Sequence, residues 1–300
     1  MRVLVAYRGE ADGDEALQLA AVLRRTTQAE TTVVAVLPRT SYVGDERPDL
    51  EYRQHLDDLA AGARAAATAA LGDDATFERV AATSVAAGLV EAAERLGSDV
   101  LVLGSARDAV RGNLVLGSVG ERLLHSSPVP LLMSPHGYAP GGRTRFTRLT
   151  CAYVGITQSR EALGAACDLA VRHDLRLRVA TFVPRAATMY PPEVGLDAED
   201  MVSAQFAEQA VGLHHDAVAF CEQRGVEVVE SVVGRGRGWA GALAAVAWEP
   251  GDVLVFGSSR LGHLARVFLG STASKLLRHT PVPVLVVPSG SAHWIEHTPA

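Results

Sequence analysis

The chain has 300 residues, 48% of them hydrophobic, 21% charged and only 5% aromatic, with a net charge of −6. That length suits about two domains, and the balance is that of a globular chain with a core of Ala, Val and Leu. An acidic chain lacks the basic surface of a non-specific nucleic-acid binder, and no apolar run approaches the roughly 18 residues a membrane span requires.

In chain order, "RVLVAY" is a short apolar run bounded by charge and Gly, and it predicts a strand. "GDEALQLAAVLRRT" carries Leu at helical spacing. "TTVVAVLP" is β-branched and stopped by Pro, a second strand. "DLEYRQHLDDLAAGARAAATAAL" is a long amphipathic helix. "ATFERVAA" predicts a strand, "AAGLVEAAERLG" a helix, "DVLVLGS" a strand, "SVGERLLHS" a helix and "VPLLMS" a last strand. The second half runs in parallel. "RLTCAYV", "LRVATFV", "VEVVESVV", "DVLVFGS" and "VPVLVVP" alternate with helical "REALGAACDLAVRH", a long helix ending at "AFCEQRG", "GWAGALAAVAWE" and "STASKLLRH". Strand and helix alternate throughout, and several strands are apolar on both faces. This predicts an α/β class with two tandem doubly wound domains, each a five-stranded, mainly parallel sheet with helices on both faces. In such sheets ligands sit outside the carboxyl ends of the strands, where the strand order reverses.

The N-terminal "MRVLVAYRGE" has too short an apolar run for a signal peptide and lacks its cleavage site. Cys151, Cys167 and Cys221 are odd in number and form no CxxC. Reduced thiols in a cytoplasmic protein are expected, rather than a disulfide framework or a zinc site.

The two halves are related by more than pattern. "LVLGSVGERLLHSSPVPLLMSP" (114–135) and "VFLGSTASKLLRHTPVPVLVVP" (267–288) share 10 of 22 positions, and "DVLVLGS" and "DVLVFGS" share six of seven at the same offset of 153. That period is the length of a domain, not of a solenoid repeat. The Gly-, Pro- and Arg-rich link "SPHGYAPGGRTRFTR" (134–148) separates them, giving domains over 1–140 and 141–300.

Within "DVLVLGSARDAVRGNLVLGSVGERLL" a buried strand ends at Gly104, a loop follows, and Gly117-Ser118 opens a helix. Backbone N–H groups at a helix N-terminus, with glycine allowing close approach and a serine hydroxyl beside it, can hold a phosphate. Ser118 and Glu121 also read as a capping box, which needs no ligand. In the second half Ser274 stands where Glu121 stands in the first, so repeat two has no carboxylate to cap its own helix. On that ground it is the better phosphate candidate.

These two segments, and the βαβαβαβαβ order of each half, resemble the universal stress protein family over nearly the whole chain. The family signature is Gly, two residues, Gly, nine residues, Gly, then Ser or Thr, and it wraps the phosphates and ribose of ATP. The resemblance implies nucleotide-contacting positions at Gly104, Arg107, Gly117, Ser118 and Val119, and at Gly257, Arg260, Gly270, Ser271 and Thr272. It also implies ATP or another adenine nucleotide as ligand, with or without Mg. Arg107 and Arg260 replace the middle glycine. Arg8 and Val154 stand where ATP-binding relatives carry an Asp after the first strand. The implied function is a stress-response regulatory module that is not an enzyme. The alternatives are a non-nucleotide scaffold or module binding an unknown protein partner, and a weak ATP hydrolase.

The Pro-Val-Pro strands read as edge strands. In the resembled family such last strands pair between domains, which implies an intramolecular pseudo-dimer, with a further homodimer as an extension. Other candidates read as structural. His125 and His279 do not align between the halves. His214 and His215 are neighbours on a helix and point apart. Asp99 and Asp252 read as polar strand starters. "GRGRG" (234–238) reads as a flexible basic loop beside the crevice, and Trp239 and Trp248 as core residues of the helix after it.

Overall fold

The computed structural model describes residues 1–9, 14–39, 50–106, 109–142, 144–185, 208–258 and 271–290. The chain divides into two compact units, the first over Met1–Arg145 and the second over Phe146–Ile295.

Unit 1 has the order β1 (Arg2–Ala6), α1 (Glu15–Thr27), β2 (Glu30–Pro38), α2 (Leu50–Leu71), β3 (Thr76–Ala82), α3 (Val85–Leu96), β4 (Val100–Leu103), α4 (Ser118–Ser126), β5 (Leu131–Met133). Its strands lie in the order β3-β2-β1-β4-β5, and every pairing among them is parallel. Helix α1 packs beside α2, and α3 beside α4. The central strands are buried on both faces: Leu4, Val33, Ala35, Leu101 and Val102 are inaccessible. That is why they read as continuous apolar runs rather than alternating ones. Strand β3 lies at the rim and keeps polar residues. Its Glu78 pairs with Arg95, and its Arg79 with Asp57. Helix α3 starts where Ser84 accepts from the Ala87 N–H (3.2 Å) and stops at Gly97 in the left-handed region.

Unit 2 repeats the plan: β6 (Arg148–Ala152), α5 (Thr157–His173), β7 (Arg176–Arg185), α6 (208–222), β8 (Val228–Arg237), α7 (Gly238–Ala244), β9 (Asp252–Gly257), α8 (Ser271–His279), β10 (Val284–Val287). Its order is β10-β9-β6-β7-β8, again parallel throughout. The expected α/β class, with five strands per half, is therefore observed.

Two local readings need correction. "GRGRG" is not a flexible loop. Gly234 and Gly236 lie in β8, in register with Phe182 and Pro184 of β7. A Cβ on Gly234 would meet the Ala242 carbonyl oxygen at 2.4 Å, and one on Gly236 the Gly241 carbonyl carbon at 2.2 Å. These glycines let α7 lie directly on the strand. Helix α7 also ends at Ala244, so Trp248 lies beyond it. The Trp248 indole N–H donates to the Leu243 carbonyl (2.8 Å), and its ring stacks on Phe182 and covers the Arg178 guanidinium at 5.0 Å.

Unit 2 also buries a charge cluster that the sequence reading did not find. Arg148 donates Nε and a terminal nitrogen to the two Asp252 oxygens, at 2.9 and 2.7 Å. Arg178 is fully buried. It donates to Thr150 Oγ1 (3.0 Å), the Ala247 carbonyl (2.8 Å) and Glu230 (3.2 Å), and lies 3.4 Å from Asp252. Asp252 is thus a strand starter that neutralises two arginines. Asp99, its counterpart in unit 1, accepts from the Arg2 backbone N–H (2.6 Å) instead. The only signal in the sequence was Arg178 inside the apolar run of β7, and a lone arginine does not name its partners.

Candidate functional site

In unit 1 the strand order reverses between β1 and β4, so the connections leaving the carboxyl ends of those paired strands run to opposite sides and leave a crevice. A cavity of about 280 Å³ opens there. Val34, Val36, Leu89 and Val119 supply apolar wall; Gly104 and Gly117, which have no side chain, present backbone to it, and the exposed Arg8 also lines it. Arg8 is the only charged residue among the described residues that line the cavity. The side chain before it, Tyr7, is buried, and its hydroxyl donates to Asp14 Oδ1 (2.7 Å). Burial and that carboxylate hold the phenol well above its usual range.

The loop from β4 to α4 is stapled by one serine. The Ser105 hydroxyl accepts from the Val115 N–H (2.9 Å) and lies 3.1 Å from the Val115 carbonyl. The Ala106 N–H donates to that same carbonyl (2.7 Å). These bonds draw the arms of the loop together and deliver Gly117 to the mouth. Gly117 is the N-cap of α4 in extended backbone, and among the described residues no side chain is seen to cap the helix. The capping box is therefore not formed. Ser118 is the first helical residue, so Glu121 stands one position too far along to close it. The first-turn N–H groups and the positive end of the helix dipole are left for something else. Ser118 itself is exposed and is not among the residues lining the cavity.

A larger cavity, about 780 Å³, lies at the amino ends of the unit 1 strands beside Arg2, Arg24 and Arg25. Its guanidinium groups are engaged. Arg2 donates to the Leu96 carbonyl (3.1 Å), Arg24 to the Leu71 carbonyl and to Asp74, and Arg25 to the Thr144 carbonyl (3.0 Å). They close helix ends and the link rather than facing a ligand.

The corresponding end of unit 2 is built differently. Val154 and Ile156, just after β6, are 48% and 54% exposed, so an apolar rim replaces Arg8. Gly257 ends β9 with no room at its Cα: a Cβ would lie 2.2 Å from the Gln158 carbonyl oxygen in the first turn of α5. At Gly104 the nearest atom would be the Ala16 nitrogen at 3.7 Å, an ordinary contact. The two glycines share a motif position but not a role. Arg107, Arg260 and Gly270 lie outside the described residues, and for Ser271 and Thr272 only the helical backbone of α8 is described.

One duplicated device escaped the sequence reading. Glu15 accepts from the Gly137 N–H (2.7 Å) and faces His136 Nδ1 (3.1 Å), just after β5. Glu161 accepts from the Ser289 hydroxyl (2.8 Å) and the Gly290 N–H (3.0 Å), just after β10. Each carboxylate sits in the first part of the helix after the unit's first strand and clasps the segment leaving its last strand. The repeated Glu-Ala-Leu at 15–17 and 161–163 was the available signal.

Of the histidines singled out, His214 is held in the core. His214 is buried on α6, with Nε2 2.9 Å from Thr181 Oγ1; that hydroxyl donates to the Tyr153 carbonyl (2.6 Å), so His214 Nε2 carries the proton. Burial and the neighbouring His215 push its pKa down. His215, His125 and His279 are exposed. No group of three or more His, Cys, Asp or Glu that could hold a metal ion occurs among the described residues. None of the described helices is long and apolar enough to cross a membrane.

The family model of the universal stress proteins matches residues 1–135 and again 145–288. This chain belongs to the universal stress protein family. The tandem arrangement is intrinsic to the match, and the stretch between the two matches, 136–144, falls within the Gly-rich link. A universal stress protein of Mycobacterium tuberculosis is 39% identical over 297 residues, covering 96% of this chain and all of that one. Among solved structures, a universal stress protein from Archaeoglobus fulgidus has a TM-score of 0.57 at 19% identity, covering 96% of this chain and 98% of its own. A universal stress protein solved in complex with cAMP covers 44% of this chain, at 19% identity and a TM-score of 0.35. As a universal stress protein, the chain keeps both copies of the fold, while among the described residues the two halves differ at Arg8 against Val154 and in the room beside Gly104 and Gly257.

Proposed function

We propose that this universal stress protein is a cytoplasmic stress-response regulatory module that binds an adenine nucleotide in the crevice of unit 1, without efficient turnover. The observation that carries the reading is the α4 N-terminus, capped by Gly117 with no side chain closing it, at the mouth of an apolar cavity with Arg8 on its rim. An apolar wall suits a base, and a helix N-terminus with an arginine suits phosphate. Among the described residues the lining contains no carboxylate and no histidine. Unit 1, rather than unit 2, is the half to test first, because the capping box that argued against it is not formed.

Incubation with ATP, ADP or AMP is expected to raise the melting temperature. At a ligand concentration of 100 Kd the stabilisation is about 2.7 kcal/mol. Arg8→Glu, on the exposed rim, is expected to remove most of the shift, each protein being compared with its own unliganded melting temperature. Failure of all three nucleotides to move the wild-type transition refutes the reading. A second reading, a partner-binding module, is favoured for unit 2 by the exposed Val154 and Ile156. Val154→Asp with unchanged nucleotide response but lost protein association would support it.

A further inference from the structure

Helices α5 and α6 of unit 2 bring two thiols into contact. Cys167 Sγ lies 3.4 Å from Cys221 Sγ and donates its proton toward it, although the two are 54 residues apart in sequence. Both are free and fully buried. The third thiol, Cys151 on β6, is also buried and free. We propose that Cys167 and Cys221 form a reversible dithiol–disulfide couple, an oxidation site that links α5 to α6 when the protein meets a peroxide.

The contact distance is the first argument. Two sulfurs in van der Waals contact need only a small side-chain and helix adjustment to bond. Access is the second. Cys221 is in the last turn of α6, and the Arg224 and Val226 N–H groups both fold back onto its carbonyl, at 2.9 and 3.0 Å. Residues 222–225 are exposed, and Gly225 turns the chain at φ +73°. Opening that one terminal turn brings Cys221 to solvent without breaking a strand pairing. The Arg224 guanidinium, which also lies over Phe220 (4.7 Å) and beside Asp168 (3.8 Å), favours a thiolate near Cys167. Against this, the thiol hydrogen bond and burial hold Cys167 above the usual thiol range, and burial does the same for Cys151. The closed state is therefore slow to react, and the opened helix end sets the rate.

The chemistry balances with hydrogen peroxide as oxidant. The Cys221 thiolate attacks one peroxide oxygen, the O–O bond breaks, and the departing hydroxide takes a proton to become water, leaving a sulfenic acid. Cys167 then attacks the Cys221 sulfur; the S–S bond forms, the S–O bond breaks, and the oxygen leaves with the thiol proton as a second water. Two thiols are oxidised and one peroxide is reduced. A cellular dithiol reverses the step by exchange.

The test uses the full chain under native conditions. The protein is incubated with hydrogen peroxide, alkylated, denatured, digested and analysed by mass spectrometry without reductant. The expected product is one peptide pair joining the segments of Cys167 and Cys221, with the mass of two hydrogens lost, disappearing on addition of dithiothreitol. The oxidised protein keeps its circular dichroism and melts at a higher temperature, because the link closes a long loop in the unfolded chain. Cys151→Ser retains the pair, and Cys221→Ser abolishes it. A wild-type protein that stays fully reduced, or links Cys151 instead, or goes to sulfinic acid at both positions, overturns the proposal.

Discussion

Replacement of Gly257 by alanine tests whether the glycine ending β9 is there for a ligand or for a helix. The added Cβ would sit 2.2 Å from the Gln158 carbonyl oxygen, 2.8 Å from its carbonyl carbon and 3.3 Å from its Cβ. Ordinary contact begins at 3.4 Å, so the first turn of α5 must withdraw by more than 1 Å. The obstacle is backbone, which cannot rotate aside, and the helix it belongs to buries Ala162, Leu163 and Ala166 against the sheet. Overpacking of this kind costs about 1–3 kcal/mol, and a backbone collision belongs at the upper end. For a unit of this size a loss of about 3 kcal/mol lowers the melting temperature by roughly 6–12 °C. Gly104→Ala is the matched control. Its Cβ has 3.7 Å to the nearest atom, and loss of glycine from the unfolded chain contributes about 0.4–1 kcal/mol of stability. It should therefore melt at or slightly above the wild type. Calorimetry of the three proteins without ligand measures the difference. Equal melting temperatures for the two variants would refute the claim that Gly257 is a packing glycine.

Further outcomes follow from the buried polar groups. Asp252→Asn removes the charge that Arg148 and Arg178 share, leaving cations buried without their common partner; denaturant titration should show a loss of about 3–5 kcal/mol. His214 has a folded pKa below its unfolded value of about 6.5. The unfolded chain therefore binds the extra proton, and the stability from the neutral ring is present above that pH and lost as pH falls below it. In melting curves from pH 7 to pH 5, the advantage of the wild type over His214→Gln should shrink steadily. A gap that stays constant would show that His214 does not titrate against the fold.

Much of the chain was legible because its signals are local. Apolar runs such as "VLVL" and "VVAVL" form strands whatever surrounds them, and nearly the whole of α4 and α8 could be bounded from "SVGERLLHS" and "STASKLLRH". The duplication was visible as identity at a fixed offset, and with it the family and the α/β class. What the sequence could not determine depended on contacts between distant positions. Ser118 and Glu121 satisfy the pattern of a capping box, yet the Ser105 staple sets the loop so that Gly117 becomes the cap and Ser118 enters the helix. "GRGRG" satisfies the pattern of a flexible turn, yet α7 lying on Gly234 and Gly236 makes it a strand. Gly104 and Gly257 are the same letter in the same motif, and only the approach of α5 separates a rim glycine from a packing one. The meeting of Cys167 with Cys221, and of Arg178 with Asp252, likewise exists only once helices and strands far apart in the chain are brought together, because periodicity places a side chain on a face but does not say what faces it.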